Sequence, residues 1–204
     1  MAPHSATSMP IRLLVLLAVL AAPVGLWAAM PGYSWYPANE LYFTVPVKQT
    51  IHYSEGGRTR NADAWGFGYR VVGDGQGVNT TSAFQLQRVT AGNSTARVNT
   101  ALTFFDLLTG VEYNFTNKNR PLHFSVAALV NLGFCEPTPY MAPMLTGSVL
   151  YRTNAATTAE NLILTFYYRL TDVALASVDG QAAILRPALG LRLGYIFQGF
   201  WGPK

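Results

Sequence analysis

The sequence predicts an all-β fold: an antiparallel up-and-down transmembrane β-barrel of eight strands, with ten as the alternative count. Three observations predict it. First, long segments alternate apolar with polar or small residues at a period of two, which marks strands because successive side chains point to opposite faces of a sheet. The clearest is residues 182–197, AAILRPALGLRLGYIF, where Leu185, Pro187, Leu189, Leu191, Leu193, Tyr195 and Phe197 share one face and Arg186, Ala188, Gly190, Arg192 and Gly194 the other. At about 3.3 Å per residue this segment is long enough to cross a bilayer at a tilt. Second, half of the residues are hydrophobic, 13% are aromatic and only 12% are charged, about half the usual charged fraction. Third, the polar faces hold Gly, Ala, Ser, Thr, Asn and Gln with isolated charges at Arg70, Glu112, Arg152, Arg169 and Arg192. That set suits a narrow lumen packed with small groups and internal charge pairs. A soluble barrel needs many Lys, Glu and Asp on its outer face.

The 204 residues, with a net charge of +4, make one domain with too few charges for nucleic-acid binding and too many aromatics for disorder. The single Cys135 excludes an internal disulfide framework and reads as a small apolar filler. The glycines of GDGQG (residues 73–77) precede no lysine and no helical pattern, so they make no phosphate loop. No metal or other cofactor is expected.

Residues 1–29 read as a secretory signal peptide. Arg12 supplies the positive charge, residues 11–20 the apolar run, and Ala28 and Ala29 the small residues at a cleavage point. Residues 30–39 form a turn-rich aromatic lead-in, residues 40–198 the barrel and residues 199–204 a tail. The first strand-like segment, residues 40–53, sets Leu41, Phe43, Val45, Val47 and Ile51 against Tyr42, Thr44, Lys48, Thr50 and His52, with an irregularity at Pro46. After the loop SEGGRTRNAD, AWGFGYRVV sets Trp65, Phe67, Tyr69 and Val71 against Gly66, Gly68 and Arg70.

A strand over residues 80–90 follows. In residues 96–117, Val98, Leu102 and Phe104 share one face whereas Val111, Tyr113 and Phe115 occupy the other parity. A β-bulge between Phe105 and Gly110 keeps one strand and the even count that a bacterial barrel requires; a tight turn there makes two. Residues 122–134 alternate throughout, CEPTPYMAP is a Pro-rich loop, and strands follow over residues 144–153 and 161 to about 177. The turn VDGQ then joins the closing strand as a hairpin.

Periodicity alone leaves open which face is inside: apolar inward makes a lipocalin-like soluble carrier, apolar outward a membrane barrel. Aromatics near strand ends, among them Trp65, Tyr69, Tyr151, Tyr168, Tyr195 and Phe197, favour the membrane, where they form girdles at the two interfaces. GVEYNF (residues 110–115) and the terminal RPALGLRLGYIF resemble bacterial outer-membrane β-barrel proteins. In that family the last strand commonly ends in an aromatic residue read by the barrel assembly machinery. Here Phe197 is followed by QGFWGPK, so Phe197, Phe200 and Trp201 are all candidates for the signal. The resemblance implies the outer membrane after signal-peptide cleavage, with outer-membrane lipids and the assembly machinery as partners. A periplasmic or secreted protein is the alternative.

The stretch HYSEGG (residues 52–57) is also similar to the His-x-Ser motif of the outer-membrane lipid A deacylases, eight-stranded barrels in which His, Ser and a downstream Glu hydrolyse an acyl ester. That similarity implies His52 as base and Ser54 as nucleophile, with Asp63 the nearest downstream acid; Glu55 stands where that family has Asn. The leading expectation is a non-enzymatic outer-membrane barrel with a structural or surface-interaction role and no wide pore. The acyl hydrolase and the soluble lipid carrier are the alternatives.

Overall fold

The computed structural model describes residues 37–73, 77–91, 100–115, 121–135, 138–152, 161–178 and 181–198. The segments expected as signal peptide (residues 1–29), most of the lead-in, and the tail with Phe200 and Trp201 lie outside the described residues. The alternating segments fold as β1 (Pro37–Lys48), β2 (Thr50–Tyr53), β3 (Thr59–Gly73), β4 (Gly77–Ala91), β5 (Thr100–Asn114), β6 (Leu122–Cys135), β7 (Thr138–Arg152), β8 (Asn161–Arg169), β9 (Val173–Val178), β10 (Gln181–Leu185) and β11 (Leu189–Gln198). Eight of these, β1, β3 to β8 and β11, pair antiparallel into a closed barrel. The ring shuts at β1, where Leu41 lies opposite Tyr195 of β11 on one side and Tyr69 of β3 on the other. Closure leaves the wall without an edge. The short strands β2, β10 and β9 extend the sheet from the start of β3, at the barrel end away from Pro37 and Gln198. That end is called the far end below.

Outward positions carry exposed apolar side chains on every wall strand, for example Leu41 and Phe43 on β1, Phe67 on β3, Phe124 and Val126 on β6, Leu164 and Phe166 on β8, and Leu193 on β11. Inward positions between them are buried and mostly polar or small, among them Thr44, Arg70, Gln85, Asn131, Thr165 and Arg192. Along β5 and the residue that follows it the belt runs from Phe105 to Phe115, about 33 Å of chain and about 25 Å of height at a tilt near 40°, the height of a transmembrane barrel's apolar band. Over the belt this is the inverse of the soluble carrier, whose apolar face must point inward.

Towards the far end the chemistry of the two faces changes over while the geometry does not. On β3, β4 and β5 the row Phe67, Leu86 and Phe105 is the last wholly apolar outward row. The next is Trp65, Arg88 and Thr103, and the one above is Asp63, Thr90 and Ala101. Inward, the same stretch turns apolar. Ala62, Val89, Phe104, Cys135 and Ala142 of the wall pack with Ile51 and Tyr53 of β2, Val173, Leu175 and Val178 of β9, and Ala183 and Leu185 of β10. This apolar cap fills the far end above the polar interior.

The changeover corrects three sequence expectations. β5 has no bulge, since it pairs without a register shift from Thr100 to Asn114; Leu102 and Phe104 point inward because there the inside is apolar. The long closing segment is two strands, not one, because β10 ends at Leu185 and β11 begins at Leu189. Leu185 is buried in the cap while Leu189 is exposed on the belt. Ile51 is likewise buried in the cap and not on the outward face of Leu41, because the register shifts between Pro46 and Lys48, where an irregularity was expected.

The Pro-rich stretch after Cys135 is also strand rather than loop, as β7 starts at Thr138. The Leu170 amide donates to the Pro143 carbonyl at 2.9 Å, so residue 143, and residue 139 at the same parity, direct their backbone groups to the β8 side. Proline offers no donor there. The β7–β8 ladder accordingly stops at the Met144–Arg169 pair, and the chain leaves the wall to form the β9–β10 hairpin. The segment expected as one strand over 161 to about 177 is thus β8 and β9.

Candidate functional site

Among the described residues the polar interior is held by three buried cations, Arg70, Arg169 and Arg192, and three buried acids, Glu40, Asp106 and Glu112. They come from β1, β3, β5, β8 and β11, and each sits at the inward parity of its strand. Arg70 is the centre of a trio. Its Nε donates to Glu40 Oε2 at 2.5 Å and its Nη1 to Glu112 Oε2 at 2.9 Å, with all three side chains at most 5% exposed. Arg192 lies 4.0 Å from the centroid of the Tyr42 ring and 5.8 Å from that of Tyr167, and its Nη2 donates to Gln85 Oε1 at 3.3 Å. The ring faces take the place of carboxylates as its counter-surface. Gln85 Nε2 and the Tyr140 hydroxyl both donate to the Asp106 carboxylate.

Arg169 has a different task. Its Nη2 donates to the Arg186 carbonyl at 2.5 Å, and the same carbonyl accepts from Gln49 Nε2 at 3.3 Å. It thereby ties the ends of β1 and β8 to the break between β10 and β11. Arg152 closes β7 opposite Asn161, and its side chain lies outside the described residues.

The glycines of the polar face make room for inward aromatic rings. A Cβ on Gly68, Gly133 or Gly190 would stand 2.1–2.3 Å from Cζ of Tyr42, Tyr140 or Tyr167 respectively, and one on Gly194 would stand 2.1 Å from Glu40 Oε1. Each tyrosine lies directly opposite its glycine on the adjacent strand. The Gly-and-aromatic alternation is therefore a packing code: one strand contributes a ring and the next the bare backbone that accepts it.

Of the aromatics predicted for the interfaces, Trp65, Tyr69, Tyr151, Tyr168 and Tyr195 are exposed on the outer wall and Phe197 is half-buried. Tyr151 and Tyr195 lie towards the chain-end side of their strands, and Tyr168 lies one residue from the opposite end of β8.

His52 and Ser54 are not brought together as a pair. β2 ends at Tyr53, and Ser54 adopts φ −66°, ψ −36° at the start of a short 3-10 turn over Glu55–Gly57, so the parity that would align the two side chains stops between them. The turn relies on Gly56 and Gly57 at φ 77° and 62°, values that only glycine adopts freely. His52 Nδ1 instead meets Thr59 Oγ1 at 2.9 Å. Asp63 is exposed on the outer face of β3, opposite Thr90. Among the described residues, no three His, Cys, Asp or Glu side chains converge as metal ligands.

Sequence reasoning found Arg70, Glu112, Arg169 and Arg192 but passed over Glu40 and Asp106. Both could have been found by parity. Glu40 continues the Tyr42 and Thr44 face, and Asp106 continues that of Glu112 once β5 is read without a bulge.

No protein-family model matches the chain, and no curated protein matches it. Among solved structures it is similar to Neisserial surface protein A, with 10% identity, a TM-score of 0.45, and coverage of 78% of this chain and 96% of that one. It is similar to the outer membrane protein OprG from Pseudomonas aeruginosa at 10% identity and TM-score 0.47, over 80% and 95% of the two chains. The third is Ail, the attachment invasion locus protein of Yersinia pestis, at 10% identity and TM-score 0.40, over 81% and 100%.

Proposed function

We propose that this protein is a small bacterial outer-membrane barrel that works as a structural or surface-interaction element rather than as a catalyst or a wide pore. The observation that carries the reading is the reversal of faces. An exposed apolar belt surrounds an interior in which, among the described residues, three buried acids offset three buried arginines. An apolar surface of that extent is stable in hydrocarbon and a liability in water. The interior supports the absence of a wide pore, since an eight-stranded barrel is filled by its own side chains, and here an apolar cap adds a second fill above the polar one. The cap strands β2, β9 and β10 close the far end, and their exposed residues are the surface on which an interaction would take place.

Outer-membrane lipids are the surroundings of the belt, and the barrel assembly machinery is the partner during insertion. Envelope fractionation with a heat-modifiability gel tests the reading. Folded protein should partition with the outer membrane, require detergent for extraction, and migrate differently before and after boiling. Protein recovered in the aqueous periplasmic fraction would sink it.

A further inference from the structure

The upper boundary of the belt carries a set of groups whose placement is matched to one kind of ligand. Arg88 projects from the outer face of β4 and is exposed. Directly opposite it stand Trp65 on β3 and Thr103 on β5, both also exposed outward. The row beneath is Phe67, Leu86 and Phe105, wholly apolar. A guanidinium is thus flanked by an indole N–H and a hydroxyl at cross-strand distance, about 5 Å between Cβ atoms, one row above the last apolar surface. Arg88 makes no ion pair within the described residues. The nearest acid along the register is Asp63, diagonal to it through the Asp63–Thr90 pair and unbridged to it, whereas Arg186, another exposed arginine, is paired with Asp172 at 2.9 Å.

We propose that Trp65, Arg88 and Thr103 form a docking station for the phosphorylated headgroup of a lipid in the far-end leaflet, whose acyl chains lie down the Phe67–Leu86–Phe105 face. The inference rests on the membrane reading above and adds to it a specific ligand. Arginine suits the role because its planar fork donates two parallel hydrogen bonds to a phosphate, and tryptophan because its apolar body and polar tip favour the headgroup level. The geometry selects a lipid over free phosphate: the three donors lie exposed in one row on the outer wall, so a small anion gains only the charge contact, while a lipid also gains the apolar row below.

The test is native mass spectrometry of the full, detergent-solubilised barrel with phosphatidic acid, and with a diacylglycerol of the same acyl chains that lacks the phosphate. Phosphatidic acid should remain bound at low stoichiometry and diacylglycerol should not. Arg88→Ala should weaken retention about tenfold, Arg88→Lys should restore part of it, and Asp63→Asn should strengthen it. Equal retention of the two lipids, or wild-type affinity in Arg88→Ala, would overturn the proposal. Inorganic phosphate that competes at the affinity of the lipid would also overturn it, by showing a free-anion site. Heat-modifiable migration and vesicle flotation of each variant keep the two readings apart. A variant that floats and is heat-modifiable but has lost the lipid supports the station. A wild-type chain that fails to float defeats the membrane reading instead.

Discussion

Arg70→Ala removes the one cation shared by two buried carboxylates. Glu40 and Glu112 side chains are 0% and 5% exposed and meet the guanidinium at 2.5 and 2.9 Å, so neither can turn to bulk water without opening the barrel. At an effective dielectric near 20, charge centres roughly 4 Å apart attract by about 4 kcal/mol per pair. Taking each ion out of water costs several kcal/mol. The intact trio therefore contributes little net stability, whereas the trio without its centre is strongly unfavourable. The expected loss is about 3–5 kcal/mol, a shift in the folded-to-unfolded ratio on the order of a thousandfold. Urea titration of the barrel in lipid vesicles, followed by the mobility difference between folded and unfolded bands, reads this directly. The combined change Glu40→Gln, Arg70→Met and Glu112→Gln removes all three charges and should return the midpoint to within about 1 kcal/mol of wild type. A single Arg70→Ala that unfolds within about 1 kcal/mol of wild type would refute the reasoning, as would a triple variant less stable than the single one.

Other substitutions probe separate parts of the architecture. Gly190→Ala, whose Cβ would overlap the Tyr167 ring at 2.2 Å, should cost about 1–3 kcal/mol, whereas Gly147→Ala, with nothing within 4 Å, should be close to neutral in the same urea assay. Leu193→Lys places a charge on an outward side chain that is 60% exposed; it should cost about 2–4 kcal/mol if that face lies near the bilayer midplane, and a neutral result would count against the belt. Pro143→Ala should change stability by less than about 0.5 kcal/mol, since its nitrogen faces the side where β8 has ended. Val130→Pro, opposite it on β6 and paired also with Thr109 of β5, removes a ladder donor inside the wall and should prevent heat-modifiable folding.

The eight wall strands were legible because lipid on one side and a narrow lumen on the other impose opposite chemistry at every second residue. Where both sides of that rule hold, as in residues 122–134, the expected faces match the exposed and buried positions. The rule fails above the belt, because apolar residues there face an apolar core instead of lipid. Leu185 and Leu189 look alike in sequence, yet one closes the cap and the other meets the bilayer. Phe104 suggested a bulge for the same reason. The prolines at 139 and 143 suggested a loop because a sequence does not say that the neighbouring strand stops short. Within the interior, isolated arginines stood out on a polar face. Glu112 stood out with them, whereas Glu40 was passed over at the start of the first strand and Asp106 was hidden by the bulge expected beside it.

The cap has a consequence for how the molecule comes together. Ile51 lies opposite Leu185 across β2 and β10, residues separated by nearly the whole length of the barrel sequence. Bringing them together from an open chain costs about 4 kcal/mol of loop entropy; once the first and last wall strands have zipped, they are already neighbours. Loop entropy thus favours sealing the cap after circularisation over sealing it before. A half-inserted sheet would display Val173, Leu175 and Val178 to solvent and to proteases, and only a completed ring would hide them. The far-end hairpin should therefore resist proteolysis only in the finished barrel, where the cap buries its apolar face.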